Sequence, residues 1–208
     1  MTIRLHRGDL PDLSHYRVPA VAVDTETMGL ALRRDRLCVV QLSPGDGSAD
    51  VVQIPAVPSG GIEAPNLKRL LGDGSILKIF HFARFDLGVL HQALGVMAAP
   101  VYCTKIASRL ARTYTDKHGL KDLARELLGV DLSKQQQLSD WGAPDLTDSQ
   151  VAYAACDVLH LHALKGKLDA MLAREGRDAL AGACFGFLAD RVRLDIAGWA
   201  MDDIFAHS

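Results

Sequence analysis

Asp24-Thr25-Glu26 stands directly after the apolar run from Val18 to Val23, and this junction constrains the chain more than any other stretch. A short apolar run that ends in polar residues reads as a buried strand, and side chains two apart on a strand point to one face. The strand therefore delivers two carboxylates to a common spot at its end. Two further acids in suitable local settings follow at Asp86 and Asp157. Four carboxylates from separate segments, with no matching histidine or cysteine set, point to Mg2+ or Mn2+ rather than zinc.

At 208 residues the chain suits one compact domain spanning 1–208, a size that buries about 70% of its unfolded surface. Cys38, Cys103, Cys156 and Cys184 are scattered without a C-x-x-C pair, which fits reduced, buried thiols in a cytoplasmic protein better than disulfides or zinc. The amino terminus has no apolar segment after its first positive charge, unlike a secretory signal. No stretch is long and apolar enough to span a bilayer. The net charge of -2 lacks the basic footprint of proteins that grip long nucleic acid by its phosphates, so a nucleic-acid substrate is expected to be short or locally held.

The first half reads as strands joined by tight turns: Val18 to Val23, Leu37 to Leu42, and Asp50 to Ile54. The turn formers Ser43-Pro44-Gly45-Asp46-Gly47-Ser48 predict a hairpin between the last two. A flexible link from Pro55 through Ser59-Gly60-Gly61 leads to Pro65, which opens a short helix carrying Leu67, Leu70 and Leu71 and ended by Gly72. Ile76 to Phe80 predicts another buried strand, Ala83 to Leu94 a helix behind it, and Val101-Tyr102 a short strand before a helix through Ile106 and Leu110. The order argues for a mixed five-stranded sheet flanked by helices.

The second half is mainly helical. Gly119 to Leu128 predicts a helix ended by Gly129, followed by a polar loop from Val130 to Pro144. Thr147-Asp148-Ser149-Gln150 has the form of a capping box, and Val151, Ala154, Ala155, Val158 and Leu161 mark a core-facing stripe behind it. A last helical stretch runs from Gly176 towards Phe205. Tyr153 and Asp157, four apart on the capped helix, share a face one turn apart. Asp86 lies about a turn into its helix, where the helix dipole favours the ionised form.

Taken together, Asp24-Thr25-Glu26, His81-Phe82-Ala83-Arg84-Phe85-Asp86 and Tyr153-Ala154-Ala155-Cys156-Asp157 resemble, in order and context, the three motifs of the DEDDy 3'-5' exonucleases, whose fold is RNase H-like. The likeness runs from near the amino terminus into the last helix and includes Leu37 to Leu42, Cys103-Thr104-Lys105-Ile106-Ala107 and Ser139-Asp140-Trp141, all similar to ribonuclease D-like proteins. Ribonuclease D carries additional helical modules for which this chain has no room. Its length, Arg112-Thr113-Tyr114-Thr115-Asp116, Lys134-Gln135-Gln136-Gln137 and the ending Asp203 to Ser208 resemble the nanoRNase C family, which clears very short RNAs including dinucleotides and forms ring-like homo-octamers.

The resemblance implies a 3'-to-5' exoribonuclease that converts short single-stranded RNA to nucleoside 5'-monophosphates. Longer RNA ends, such as tRNA precursors, or DNA are the alternative substrates. It also implies two divalent cations, Mg2+ or Mn2+, with Asp24, Glu26 and Asp157 holding one, and Asp24 and Asp86 the other. Ions about 4 Å apart stabilise both the attacking and departing oxygens of an in-line displacement. Tyr153 is expected to orient the attacking water, since a phenol with a reference pKa of about 10 is a poor base at neutral pH.

On the substrate side the expected contacts are Thr25 within the first motif, Met28, Gly29 and Leu30 in the loop after it, His81, Arg84 and Phe85 before Asp86, and a polar clamp of Lys134, Gln135 and Gln136. Leu30 is placed either to wedge between terminal bases or to pack ordinarily. Arg33, Arg34 and Arg36 read as a solvated turn, and Trp141 as an anchor for its loop.

Overall fold

The computed structural model describes residues 2–56, 61–133, 135–136 and 138–207. Its strands are β1 (Thr2–Arg7), β2 (Ala20–Thr27), β3 (Leu37–Ser43), β4 (Ser48–Gln53), β5 (Leu77–Phe80) and β6 (Val101–Cys103). They form one six-stranded sheet in the order β1-β4-β3-β2-β5-β6. The hairpin of β3 and β4 and the pair β2/β3 are antiparallel, whereas β1/β4, β2/β5 and β5/β6 are parallel.

The sheet has one strand more than the sequence predicts. β1 consists only of exposed and half-buried residues and shows no apolar run. What makes it a strand is its partner: it lies along β4 in parallel register from Thr2↔Ser48 to Arg7↔Gln53, and Arg4 forks onto Asp50. Pairing with a distant strand overrides a weak local signal.

The helices are α1 (Pro65–Gly72), α2 (Ala83–Leu94), α3 (Thr104–Ala111), α4 (Leu120–Leu123), α5 (Asp148–Leu159), α6 (Leu161–Arg174) and α7 (Asp178–Leu194). α1 opens on Pro65 as predicted. α4 continues into a π-helical turn, Ala124–Leu128, which Gly129 ends with φ 70°, a left-handed conformation that favours glycine. The capping box of α5 is complete: the Gln150 amide donates to Thr147 Oγ1 at 3.3 Å, and the Thr147 amide donates to Gln150 Oε1 at 2.9 Å. The last helix gives way to a π-helical turn, Asp195–Trp199, interrupted at Gly198 with φ 118°, so it stops short of Phe205. Residues 57–60 of the expected linker lie outside the described residues.

Two hydrophobic layers sandwich the sheet. Val21, Val23, Val40, Leu42, Val52 and Phe80 pack with α1, α2 and the end of α7, while Ala22, Val39, Val51 and Ile79 pack with α3, α5 and α6. The alternation of Val21, Ala22 and Val23 between layers is the period-2 pattern of a strand buried on both faces. Among the described residues no helix is long and apolar enough to cross a membrane.

Candidate active site

β2, β5 and β6 are parallel neighbours, so their carboxyl ends open at one edge of the sheet, where ligands bind in open α/β sheets. Asp24 and Glu26 follow Ala22 on the face that α5 covers. From α5, Tyr153 and Asp157 project towards them. Carboxylate oxygens of Asp24, Glu26 and Asp157 all lie within 4.8 Å of one another. Thr25 points to the opposite face, where its hydroxyl donates to Asp86 Oδ1 of α2 at 2.6 Å. Asp86 is thus buried beside the cluster, with one oxygen already held, and stands outside the close group of three.

The electrostatics of this group are unfavourable as it stands. Burial, then repulsion from Asp86, Asp157 and Glu26, pushes the Asp24 carboxyl well above the ordinary range. Burial and the charges of Asp157 and Asp86 raise Glu26 to about 8. Burial also raises Asp86 and Asp157, against hydrogen bonds from Thr25 and Tyr153 respectively. The Tyr153 phenol is pushed up by burial and by Asp157, Glu26 and Asp24, so it is a donor at neutral pH. Among the described residues no lysine, arginine or histidine forms an ion pair with any of the four acids. A convergent set of carboxylate oxygens without a built-in counter-charge fits a hard divalent cation, whose own charge reverses the local pKa logic.

Asp24, Glu26 and Asp157 line a cleft of about 330 Å³ together with Tyr153, His81, Phe82, Lys105, the segment Gly119 to Asp122, Leu132 and Ser133, and Asp86 is buried behind it. A larger cavity of about 640 Å³ opens at the opposite ends of β2 and β5, beside Tyr16, Arg17 and Arg69, and holds none of the clustered acids.

Thr25 and His81 line the cleft. The His81 ring is held at 2.9 Å from Thr104 Oγ1, and burial with nearby Lys105 lowers its pKa to about 3, leaving it neutral. Met28 and Leu30 stand 61% and 83% exposed on the loop after β2, which places Leu30 in solvent rather than in the core. A Cβ at Gly29 would run into the Asp35 carboxylate, which accepts from the Ala31 amide at 2.9 Å and is held there.

The structure does not bring Arg84 and Phe85 into the cleft. Arg84 forks onto Asp195 at 2.6 and 2.7 Å and reaches the Ala200 carbonyl, tying α2 to the end of α7. Phe85 packs on the core layer under α2. Gln135 is exposed in a turn and Gln136 accepts from Ser139, so neither lines the cleft; their neighbours Leu132 and Ser133 do. Lys134 lies outside the described residues. Trp141 is buried, with its ring 6.0 Å from that of Tyr153, the expected anchor for its loop.

Lys105, Phe82 and Lys121 are among the cleft residues that sequence reasoning left without a role. Phe82 is the one non-glycine residue with positive φ among those described, at 68°, and the Lys105 ammonium sits 4.3 Å from its ring centroid. A strained bulky residue at a cleft mouth is costly and is kept there by its surroundings. The signal that marks both was positional: each follows the carboxyl end of a parallel strand. Lys121 belongs to a segment held from below by Arg112, whose fully buried guanidinium donates to Ser108 Oγ at 2.9 Å, the Lys117 carbonyl at 2.7 Å and Glu126.

Two acids at the carboxyl end of β2, facing an acid and a phenol one turn apart on α5, form the site of a nuclease. The chain belongs to the 3'-5' exonuclease family, which matches residues 13–173. It is 60% identical to Brucella melitensis NrnC with bound Mg2+, with a TM-score of 0.95 and 100% of both chains covered. Brucella melitensis NrnC bound to pGG is 62% identical, again at TM-score 0.95 over both whole chains. Ribonuclease D of Gluconacetobacter diazotrophicus is 36% identical over 161 residues, 77% of this chain and 40% of that protein. The chain thus spans about 40% of the length of that curated relative.

Proposed function

We propose that this chain is a divalent-cation-dependent 3'-to-5' exoribonuclease that hydrolyses short oligoribonucleotides, including dinucleotides, to nucleoside 5'-monophosphates. The observation that carries this reading is the convergence of Asp24, Glu26 and Asp157 within 4.8 Å in a cleft that Lys105 and Lys121 also line. Bound Mg2+ or Mn2+ supplies charge stabilisation at the scissile phosphate and a competent nucleophile at neutral pH. Asp24, Glu26 and Asp157 would hold one cation, and Asp24 with Asp86 the second.

The protein's own groups do the rest. Tyr153 donates a hydrogen bond that orients the attacking water for in-line approach to phosphorus. The bond to the 3' oxygen of the penultimate nucleotide breaks, and the phosphate leaves on the 5' side of the terminal nucleoside. Lys105 and Lys121, which have no carboxylate partner among the described residues, oppose the negative charge of the substrate phosphates. Exposed Leu30 wedges between the terminal bases, with Met28 and Gly29 shaping its loop, while Thr25 and neutral His81 line the floor.

Short substrates are favoured by the likeness to NrnC bound to pGG and by a net charge of -2, which supplies no extended phosphate track. Trimming of longer 3' ends is the second reading, favoured by the ribonuclease D relatives. Product analysis over time on RNA and DNA oligomers of graded length, with and without Mn2+, separates them: fastest release from dinucleotides supports the first, and strong preference for long chains overturns it.

The same reading takes the chain as a single cytoplasmic exonuclease domain that assembles into a ring-like octamer. Exposed Trp199, Met201, Ile204 and Phe205 in the carboxyl-terminal segment are suited to a subunit interface. Light scattering tests the assembly, and a stable monomer counts against it.

A further inference from the structure

Gln41 occupies the middle of β3, directly opposite Asp24 on one side and Val51 on the other. Residues directly opposite in an antiparallel ladder share a face, with Cβ atoms about 4.5–5.5 Å apart. That face is the one α5 covers, where Val39, Val51, Ala154, Ala155 and Val158 pack. Gln41 is 0% exposed, yet neither its amide nitrogen nor its oxygen has a hydrogen-bond partner among the described residues.

An unpaired buried amide is destabilising, and a leucine or methionine would fill this apolar site without that cost. A buried polar group left unpaired therefore calls for a reason outside packing. Its neighbour supplies one. Among the described residues no side chain donates a hydrogen bond to the Asp24 carboxylate, although it converges with Glu26 and Asp157 and, on the cation-binding reading, is the ligand both ions would share.

We propose that Gln41 is a positioning residue for the cation site: its amide nitrogen donates to the Asp24 carboxylate when a divalent cation is bound, fixing the direction of that ligand's oxygens. The proposal rests on the cation-binding reading of the acids. Partners of this kind, one shell out from the ion, commonly change affinity by about 10–100-fold when removed.

The test is a calorimetric titration of the cation-free protein with Mn2+, alongside thermal melts, for the natural sequence, Gln41→Leu and Gln41→Met. The expected result is Mn2+ affinity weakened about 10–100-fold in both variants, with cation-free melting temperatures equal to or above the parent's. Parent-like affinity in both variants overturns the role of Gln41 and leaves the acids as ligands. Affinity that falls in step with the cation-free melting temperature also overturns it, in favour of a packing role. Absence of Mn2+ binding by the parent overturns the proposal and the cation-binding reading together.

Discussion

Half-buried Asp24 and buried Asp50 stand two strands apart on opposite faces of one sheet, and their surroundings could hardly differ more. Asp50 accepts from Arg4 at 2.7 and 3.0 Å, from Tyr16 at 2.6 Å, and lies 2.7 Å from His6 Nε2. Burial alone raises its pKa, but the bonds from Arg4, Tyr16 and His6 outweigh that and hold it at about 2. Asp24 is raised instead, by burial first and then by the like charges of Asp86, Asp157 and Glu26. The first carboxylate is completed by the protein and fastens β1 to β4; the second is left for something else to complete. Burial does not separate a structural acid from a functional one, whereas the source of its counter-charge does.

Four outcomes break or sharpen this contrast. Asp24→Asn should abolish Mn2+ binding and lower turnover by on the order of 10³, since loss of the cations forfeits several kcal/mol of transition-state stabilisation; calorimetry and rate assays check both. Asp50→Ala should do the opposite, lowering the unfolding free energy by about 1–3 kcal/mol in denaturant melts, because the buried Tyr16 hydroxyl loses its acceptor while the part-exposed Arg4 can turn to water. Its turnover per folded molecule and its Mn2+ affinity should stay at the parent's values. Tyr153→Phe should slow hydrolysis by about 10–100-fold, the worth of one hydrogen bond at a charged centre, and spare Mn2+ binding.

The smallest effect is a pH dependence of opposite sign in the two regions. The folded value of Asp50 lies below its ordinary 3.8, so its stabilisation is complete above about pH 4 and fades as pH falls through about 2. Glu26 rises from 4.5 to about 8, so its contribution is complete below pH 4.5 and is lost as pH climbs through about 8. Cation-free melting temperature should therefore fall by a few degrees between about pH 5 and about pH 8, and Mn2+ should recover more at the higher pH. A flat profile over that range would remove Glu26 from the contrast.

The elements that hold the site were legible in the sequence because each announced itself locally. The apolar run before Asp24 is β2, the capping box at Thr147 opens α5 on its residue, and Tyr153 and Asp157 share a face through helical spacing alone. β1 was hidden because its signal is the ladder to β4, not its own composition. Arg84 misled for a related reason: proximity to Asp86 in sequence suggested the cleft, but a guanidinium goes to the best carboxylate in reach, which Asp195 supplies from 111 residues away. Lys105 and Phe82 meet in space from different strand ends, and Gln41 acquires its interest only through register opposite Asp24. Long-range pairing and unsatisfied burial are properties of the fold, and a sequence pattern does not display them.

The account turns on the acids sharing cations. Crystals soaked in Mn2+ and measured at the manganese edge test this directly. The account predicts two anomalous peaks about 4 Å apart, one ligated by Asp24, Glu26 and Asp157 and the other by Asp24 and Asp86. Density free of any peak between these carboxylates, in protein that still cleaves RNA with Mn2+, would contradict it.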